Sequence, residues 1–290
     1  MHPARSIILF TTLSGLGFGL LVWLGIDAQA PTGWVGFIFF VIAYALAGGG
    51  LMASTFHLGH PERAIKAFSQ WRSSWLSREG IAAVATLIVM GIYGFFLVVF
   101  GLQISLLGWI GAALALVTVY TTSMIYAQLK TVPRWNTPLT SALFICFALA
   151  GGALLSGRVL FSVNLLVIAA IIQVIWWQQG DNRFSEAGST LASATGLGQI
   201  GQVRAFEPPH TGTNYLMDEF MHVVGRKHAL KLRGIALILM VGVPILCLLL
   251  PFNHLFALLA VVSHLIGVYV SRWLFFAEAE HVVGLYYGKR

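Results

Sequence analysis

The chain has 290 residues, 58% of them hydrophobic and only 9% charged, with a mean hydropathy of +0.84. A soluble domain of this length carries about a quarter charged residues, so a water-soluble globule is excluded and lipid is the solvent to reason with. The net charge of +7 invites a nucleic-acid reading, but its distribution along the chain assigns it to membrane topology, and no nucleic-acid partner is expected.

A window of about 19 residues picks out eight apolar segments: Ser6–Ile26, Trp34–Thr55, Gly80–Phe100, Ser105–Tyr126, Leu139–Leu155, Leu160–Trp177, Leu232–Leu250 and His254–Phe275. Arg5 opens the first without a small-residue cleavage site behind it, so this run reads as a membrane helix and not as a signal peptide. Gly157-Arg158 is the sole separator of the fifth and sixth. Glycines within the runs, such as the Gly15-x-x-x-Gly19 pattern, Gly48-Gly49-Gly50 and Gly151-Gly152, read as seams where helix backbones approach closely. Cys146 and Cys247 lie in apolar runs without metal-ligand spacing, so neither a disulfide framework nor a protein-borne iron–sulfur cluster is expected.

The second segment ends in Ser54-Thr55-Phe56-His57-Leu58-Gly59-His60-Pro61-Glu62-Arg63-Ala64, a histidine, a glycine break and a proline restart amid ionisable residues. Pro61 suits the first turn of a new helix, where its missing N–H is no loss. Ala64, Ile65, Phe68, Trp71 and Trp75 then recur at helical spacing with Arg63, Lys66 and Arg72 between them, the pattern of a helix lying in the interface. Ser77 is expected to cap the third segment, with Glu79 in its first turn. A quinone head group needs a hydrogen-bond donor at each carbonyl and a group that exchanges protons as electrons move. His57 titrates in the useful range, and Glu79 or Glu62 can pass protons to water. With His60, Arg63 and Trp71 they form a candidate quinone site. The same residues also fit a plain interface, with histidines bonded to backbone, Glu79 complementing a helix dipole and Arg63 snorkelling.

Between the fourth and fifth segments, Lys130-Thr131-Val132-Pro133-Arg134-Trp135-Asn136-Thr137-Pro138 reads as a rigid interfacial turn. Lys130 and Arg134 are candidates for docking a partner there, although a structural turn is the safer reading. The longest connection, 178–231, mixes aromatic and charged residues and includes a helix-like Tyr215–Leu230. It reads as a docking insert, with Arg183, Arg204, Arg226 and Lys227 facing a soluble partner. His264 lies in the middle of the eighth segment, where an ionisable group is functional by default, as a proton carrier, a lining of the same pocket or a haem ligand. A haem b between His57 and His264 requires matching depths, which the segments do not provide, so no haem is favoured and haem b stays the alternative. No metal site is expected, since Asp181, Glu207, Asp218 and His222 lack metal-like spacing. A stand-alone transporter or channel is the other alternative. It calls for ionisable groups deep in several helices and inverted repeats, whereas His264 is nearly alone.

Eight crossings put both termini and the connections after the second, fourth and sixth segments on one side. That side collects Arg5, Arg63, Lys66, Arg72, Arg78, Lys130, Arg134, Arg183, Arg204, Arg226, Lys227, Lys231, Arg233, Arg272, Lys289 and Arg290; the other has Arg158 and the acidic Asp27. By the positive-inside rule the first side is cytoplasmic, and contact with anionic membrane lipid is compatible with it. The expected fold is all-α and polytopic. A single integral membrane domain spans 1–290, a bundle of eight transmembrane helices with an interfacial helix and a long cytoplasmic loop.

The run Ala53–Ala64, followed by Leu76-Ser77-Arg78-Glu79 and by Thr131-Val132-Pro133-Arg134-Trp135-Asn136, resembles the membrane-anchor subunit of DMSO reductase. The resemblance implies an eight-helix anchor in the bacterial inner membrane, with the quinol-site histidine at His57 and a functional glutamate at Glu79. It further implies an iron–sulfur subunit as electron-transfer partner and a molybdopterin catalytic subunit, with ubiquinone or menaquinone as the carrier. Where that family has glutamate in the eighth helix, this chain has His264. The 178–231 insert, with Glu207-Pro208-Pro209-His210-Thr211 and Arg226-Lys227-His228-Ala229, looks more like the anchor of the membrane-bound, cytoplasm-facing sulfite dehydrogenase.

Overall fold

The computed structural model describes residues 5–55, 61–207, 209–212 and 227–288, the side chains of 61–64 and 67 excepted. The main helices are α1 (Arg5–Ile26), α2 (Gly33–Thr55), α3 (Trp75–Phe100), α4 (Ser105–Ala127), α5 (Pro138–Leu155) and α6 (Val159–Glu186). A short α7 (Leu191–Thr195), then α8 (Ala229–Leu249) and α9 (His254–Ala277), complete the series. A 3-10 helix, Pro61–Gln70, precedes α3, and another, Val282–Tyr287, follows α9. All the described regular structure is helical. Eight of the helices, every one but α7, are long and apolar enough to cross a membrane, at the positions the hydropathy pattern expects.

The bundle is built around α1. Its apolar window is 78% buried, against 28% for α2, α6 and α8, whose outer faces carry residues such as Phe37, Val41, Ile168, Ile171 and Leu246 out to lipid. Helices α1 to α4 form a closed ring in which α1 packs on α2 and α4 and α3 packs on both of those. Helix α5 lies against α1 and α4, α6 lies against α5, and α8 with α9 closes onto α1 and α5.

Glycine makes this central position possible, because without a hydrophobic driving force in lipid, helices gain from close backbone approach. A Cβ on Gly17 would collide with Ala47 N of α2, one on Gly19 with Ala148 O of α5, and one on Gly25 with Gly108 O of α4. Each neighbour of the early bundle is thus met by a different α1 glycine. Gly15 has open space around it, so the expected Gly15-x-x-x-Gly19 seam is in fact made by Gly17, Gly19 and Gly25.

Local chemistry sets the ends. Ser74 caps α3, accepting from Ser77 N at 3.5 Å; the expected cap at Ser77 is therefore corrected, because the helix begins one turn earlier at Trp75. Thr137 caps α5 ahead of Pro138. Gly157, at φ +72°, turns the chain between α5 and α6, and α6 runs well past Trp177 to Glu186. In the 178–231 connection, Thr190 and Ser193 form a capping box on α7, while most of the helix-like Tyr215–Leu230 lies outside the described residues. On the face opposite the basic one, Asp27 pairs with Arg158 at 2.5 Å. The two charges expected there neutralise each other.

In α8, Pro244 has no N–H to give to Met240 O, the carbonyl four residues before it, and the helix relaxes into a π turn at Ile238–Gly242. Ser263 of α9 donates to Leu239 O at 2.7 Å, and His264 Nδ1 meets Met240 O at 2.7 Å. The freed carbonyls become the joint between the last two helices.

Gly19→Leu is expected to lower stability by about 3 kcal/mol, because its new side chain collides with backbone, whereas Gly15→Ala leaves stability unchanged or slightly higher. Thermal unfolding of the detergent-solubilised protein checks both.

Candidate functional site

Glu79 is the carboxyl group that the fold places at the inner rim. It sits one turn into α3, is 4% exposed, and accepts a hydrogen bond from Thr122 Oγ1 of α4 at 2.6 Å. Among the described residues, Thr122 is the hydrogen-bond partner of this buried carboxyl. Around it the chain turns amphipathic. Phe68 of the 3-10 helix lies on the start of α3, 3.3 Å from where a Cβ of Gly80 would be. Ile65, Phe68 and Trp71 remain exposed, which is how an interfacial helix presents its apolar face to lipid. Arg78 closes the connection by donating to Trp71 O at 2.9 Å and Arg72 O at 2.7 Å, its guanidinium 4.3 Å from the Trp75 ring centre.

Of the expected quinone-site residues, Trp71 and Glu79 are therefore on this rim. His57 and His60 lie outside the described residues, as do the side chains of Glu62 and Arg63. What is described suits a quinone head group at the membrane edge, with an apolar, lipid-accessible wall beside a protonatable carboxyl.

His264 is elsewhere. At ~1.5 Å per residue, it lies about 20 Å from the inner end of α9, buried to 1%. Its Nδ1 carries the proton, because Met240 O can only accept, and its Nε2 faces a cavity of ≈ 20 Å³. A histidine bonded to backbone through one ring nitrogen can still ligate through the other, and here that other nitrogen opens on room for about one water. Among the described residues, no three His, Cys, Asp or Glu side chains converge on a point.

The candidate docking residues divide. Lys130, Arg204 and Lys227 are exposed, and Arg183 is half-buried near Thr137 Oγ1 at 3.5 Å. Arg226 lies outside the described residues. Arg134 is a correction: it is buried and turned inward, pairing with Asp181 at 2.7 Å and with Glu278 at 3.7 Å. Arg233 bonds both carboxylates as well, at 2.6 Å to Asp181 and 2.8 Å to Glu278. This balanced set of two cations and two acids ties the α4–α5 turn to α6, α8 and the end of α9. Burial pushes the Glu278 carboxyl above its ordinary range, and the two guanidiniums pull against that. Trp135 completes the turn by stacking on Phe275 at 5.0 Å and donating to Phe275 O at 2.9 Å.

Sequence reasoning missed Thr122, which carried no signal at all. It also counted Arg272 only as a basic residue of the inner side. A cation three residues inside the end of the apolar eighth segment was visible, and it turns out to be buried, its Cζ 3.5 Å from the Phe144 ring centre.

Residues 1–288 match the family model described as DMSO reductase anchor subunit. The sequence is 31% identical over 327 aligned positions to a sulfite dehydrogenase subunit of Allochromatium vinosum, with 99% of each protein covered. It is 29% identical to the anaerobic dimethyl sulfoxide reductase protein YnfH of Escherichia coli, over 58% of this sequence and 64% of that one. It is 32% identical to an anaerobic dimethyl sulfoxide reductase component of Haemophilus influenzae, over 41% and 43%. No solved structure matches.

His264→Leu is expected to cost about 1–3 kcal/mol by leaving Met240 O unpaired. Adding Pro244→Ala, which restores a backbone donor to that carbonyl, should recover much of the loss. A double-mutant cycle on thermal unfolding in detergent reads the coupling.

Proposed function

The chain belongs to the DMSO reductase anchor-subunit family, and on that premise we propose that it is the membrane mount and quinone-site subunit of a molybdopterin oxidoreductase complex. It holds a molybdopterin catalytic subunit and an iron–sulfur electron-transfer subunit at the cytoplasmic face of the bacterial inner membrane, with both termini on that side. Electrons pass between the iron–sulfur subunit and the quinone pool. A sulfite dehydrogenase type is favoured over a DMSO reductase type, because likeness to the Allochromatium protein runs the full length of both sequences. The iron–sulfur clusters and the molybdopterin belong to the partners.

The observation that carries this reading is Glu79, a buried carboxyl at the inner rim beside an apolar interfacial helix. A bound quinone supplies reversible uptake of electrons together with protons. The chain's own residues do the rest. His57 donates a hydrogen bond to one carbonyl, with His60 and Arg63 beside it, and Phe68 and Trp71 exclude water from the ring. Glu79 holds a proton on its carboxyl, steadied by Thr122, and exchanges it with Glu62 and the aqueous face. His264 belongs to the same proton-handling interior. Lys130, Arg204, Arg226 and Lys227 offer the basic surface on which the iron–sulfur subunit docks, with Arg183 at its edge.

His57→Ala should leave both partner subunits co-purifying in mild detergent while abolishing quinone-linked turnover in membranes. Glu79→Gln should lower that turnover by about 10²-fold, the scale of a lost acid–base group. Undiminished turnover in assembled His57→Ala complex would count against the assignment.

A further inference from the structure

Three buried polar atoms lack partners among the described residues: Thr12 Oγ1 of α1, and His264 Nε2 and Arg272 Nε of α9. Thr12, His264 and Arg272 all line the ≈ 20 Å³ cavity inside the bundle, and all three are at least nine-tenths buried. An unmade hydrogen bond costs about 1–3 kcal/mol per group, and a cation in an apolar interior costs more unless something polar answers it. About 10–15 Å³ suffices for one water, which needs two to four polar partners. The cavity has both the room and the partners.

The chemistry of the partners orients that water. Arg272 Nε–H can only donate. His264 Nε2, with the ring proton on Nδ1, can only accept, and it lies ~12 Å farther along α9, too far to share one water with Arg272. Thr12 can do either. Thr122 Oγ1 lines the same cavity and gives its own proton to Glu79 at 2.6 Å, so it has lone pairs left to accept from water. At ~1.5 Å per residue, Glu79, Thr122 and Arg272 all lie within about 8 Å of the inner ends of their helices.

We propose that this cavity binds one water molecule, and that through it and Thr122 the Arg272 guanidinium serves as the counter-charge of Glu79. Arg272 is then a positioning residue. It favours the carboxylate form of Glu79 from across the bundle without touching whatever binds at the rim. The described ionisable groups set around Glu79 are few. Tyr126 of α4 lies near both Glu79 and Arg272, Tyr44 of α2 is committed to Leu87 O at 2.5 Å, and Lys66 on the 3-10 helix is exposed. Arg272 is the buried cation of the set. The use of Glu79 in quinone chemistry rests on the function proposed above; the water and the coupling do not.

The test is made on the assembled complex in two arms, neither of which needs quinone turnover. An electron cryo-microscopy map fine enough to show ordered water should contain one density peak among Thr12, Thr122 and Arg272. In infrared titration, the Glu79 carboxyl band, identified by its loss in Glu79→Gln, should titrate about one pH unit or more higher in Arg272→Leu, a tenfold or greater rise in proton affinity. Arg272→Lys should return it to near the wild-type midpoint. Thr122→Val and Thr12→Val, which keep shape while removing a hydroxyl, should move it in the same direction even where Arg272→Leu does not fold. An empty cavity overturns the water site. A filled cavity with an unmoved Glu79 band in the folded variants overturns the coupling.

Discussion

Lipid offers no hydrogen-bond partner, and that single constraint organises the molecule. Several polar groups that enter the bundle are answered by another helix. Tyr44 donates to Leu87 O at 2.5 Å, Trp23 donates to Leu149 O at 2.9 Å, Thr86 meets Thr118 at 3.0 Å, and Ser271 donates to Gln173 at 2.9 Å. These bonds cross between helices and therefore specify which helix lies beside which. Side-chain shape adds the second specification, through glycines that let α1 come within backbone contact of α2, α4 and α5. The joint at Met240 combines both, since a proline frees a carbonyl and a histidine from the next helix takes it.

Against that background, the groups that are incompletely answered stand out. Glu79 has one hydroxyl partner at the rim, and Arg272 has an aromatic face and a small cavity in place of a carboxylate. By contrast Arg134 and Arg233 are each ion-paired with both Asp181 and Glu278. Buried cations in this protein thus come in two kinds: one set is neutralised in place and serves as a clamp, the other is left available to act on a neighbour. The distinction matters at the inner rim, where a fixed clamp and a chemically responsive carboxyl lie on the same face of the bundle.

The basic face likewise has two parts. Some of its cations are spent on internal architecture, Arg78 on the chain turn before α3 and Arg134 on the ion cluster. Others, such as Lys130, Arg204 and Lys227, remain in the open. Charge counting sees one population because both kinds follow the same sidedness rule, yet only the exposed kind can meet a soluble partner.

How much of this was readable without coordinates depends on the range of the interaction. The eight crossings, the interfacial segment and the sidedness were legible, because hydrophobic length and charge asymmetry are local sums along the chain. Glu79 was legible as the first acid after the histidine motif, and His264 as an ionisable group in an apolar run. The tie from Thr122 to Glu79, the inward turn of Arg134, the choice of Gly17, Gly19 and Gly25 over Gly15 as the seam, and the cavity shared by Thr12, His264 and Arg272 were not. Each depends on which faces of helices distant in sequence come together. Composition and periodicity alone determined that this protein has eight segments long and apolar enough to cross a membrane, with its cations, Arg158 apart, in connections of one parity. Only the packed bundle decided which polar groups found partners on other helices and which were left open, because that depends on which helix faces meet.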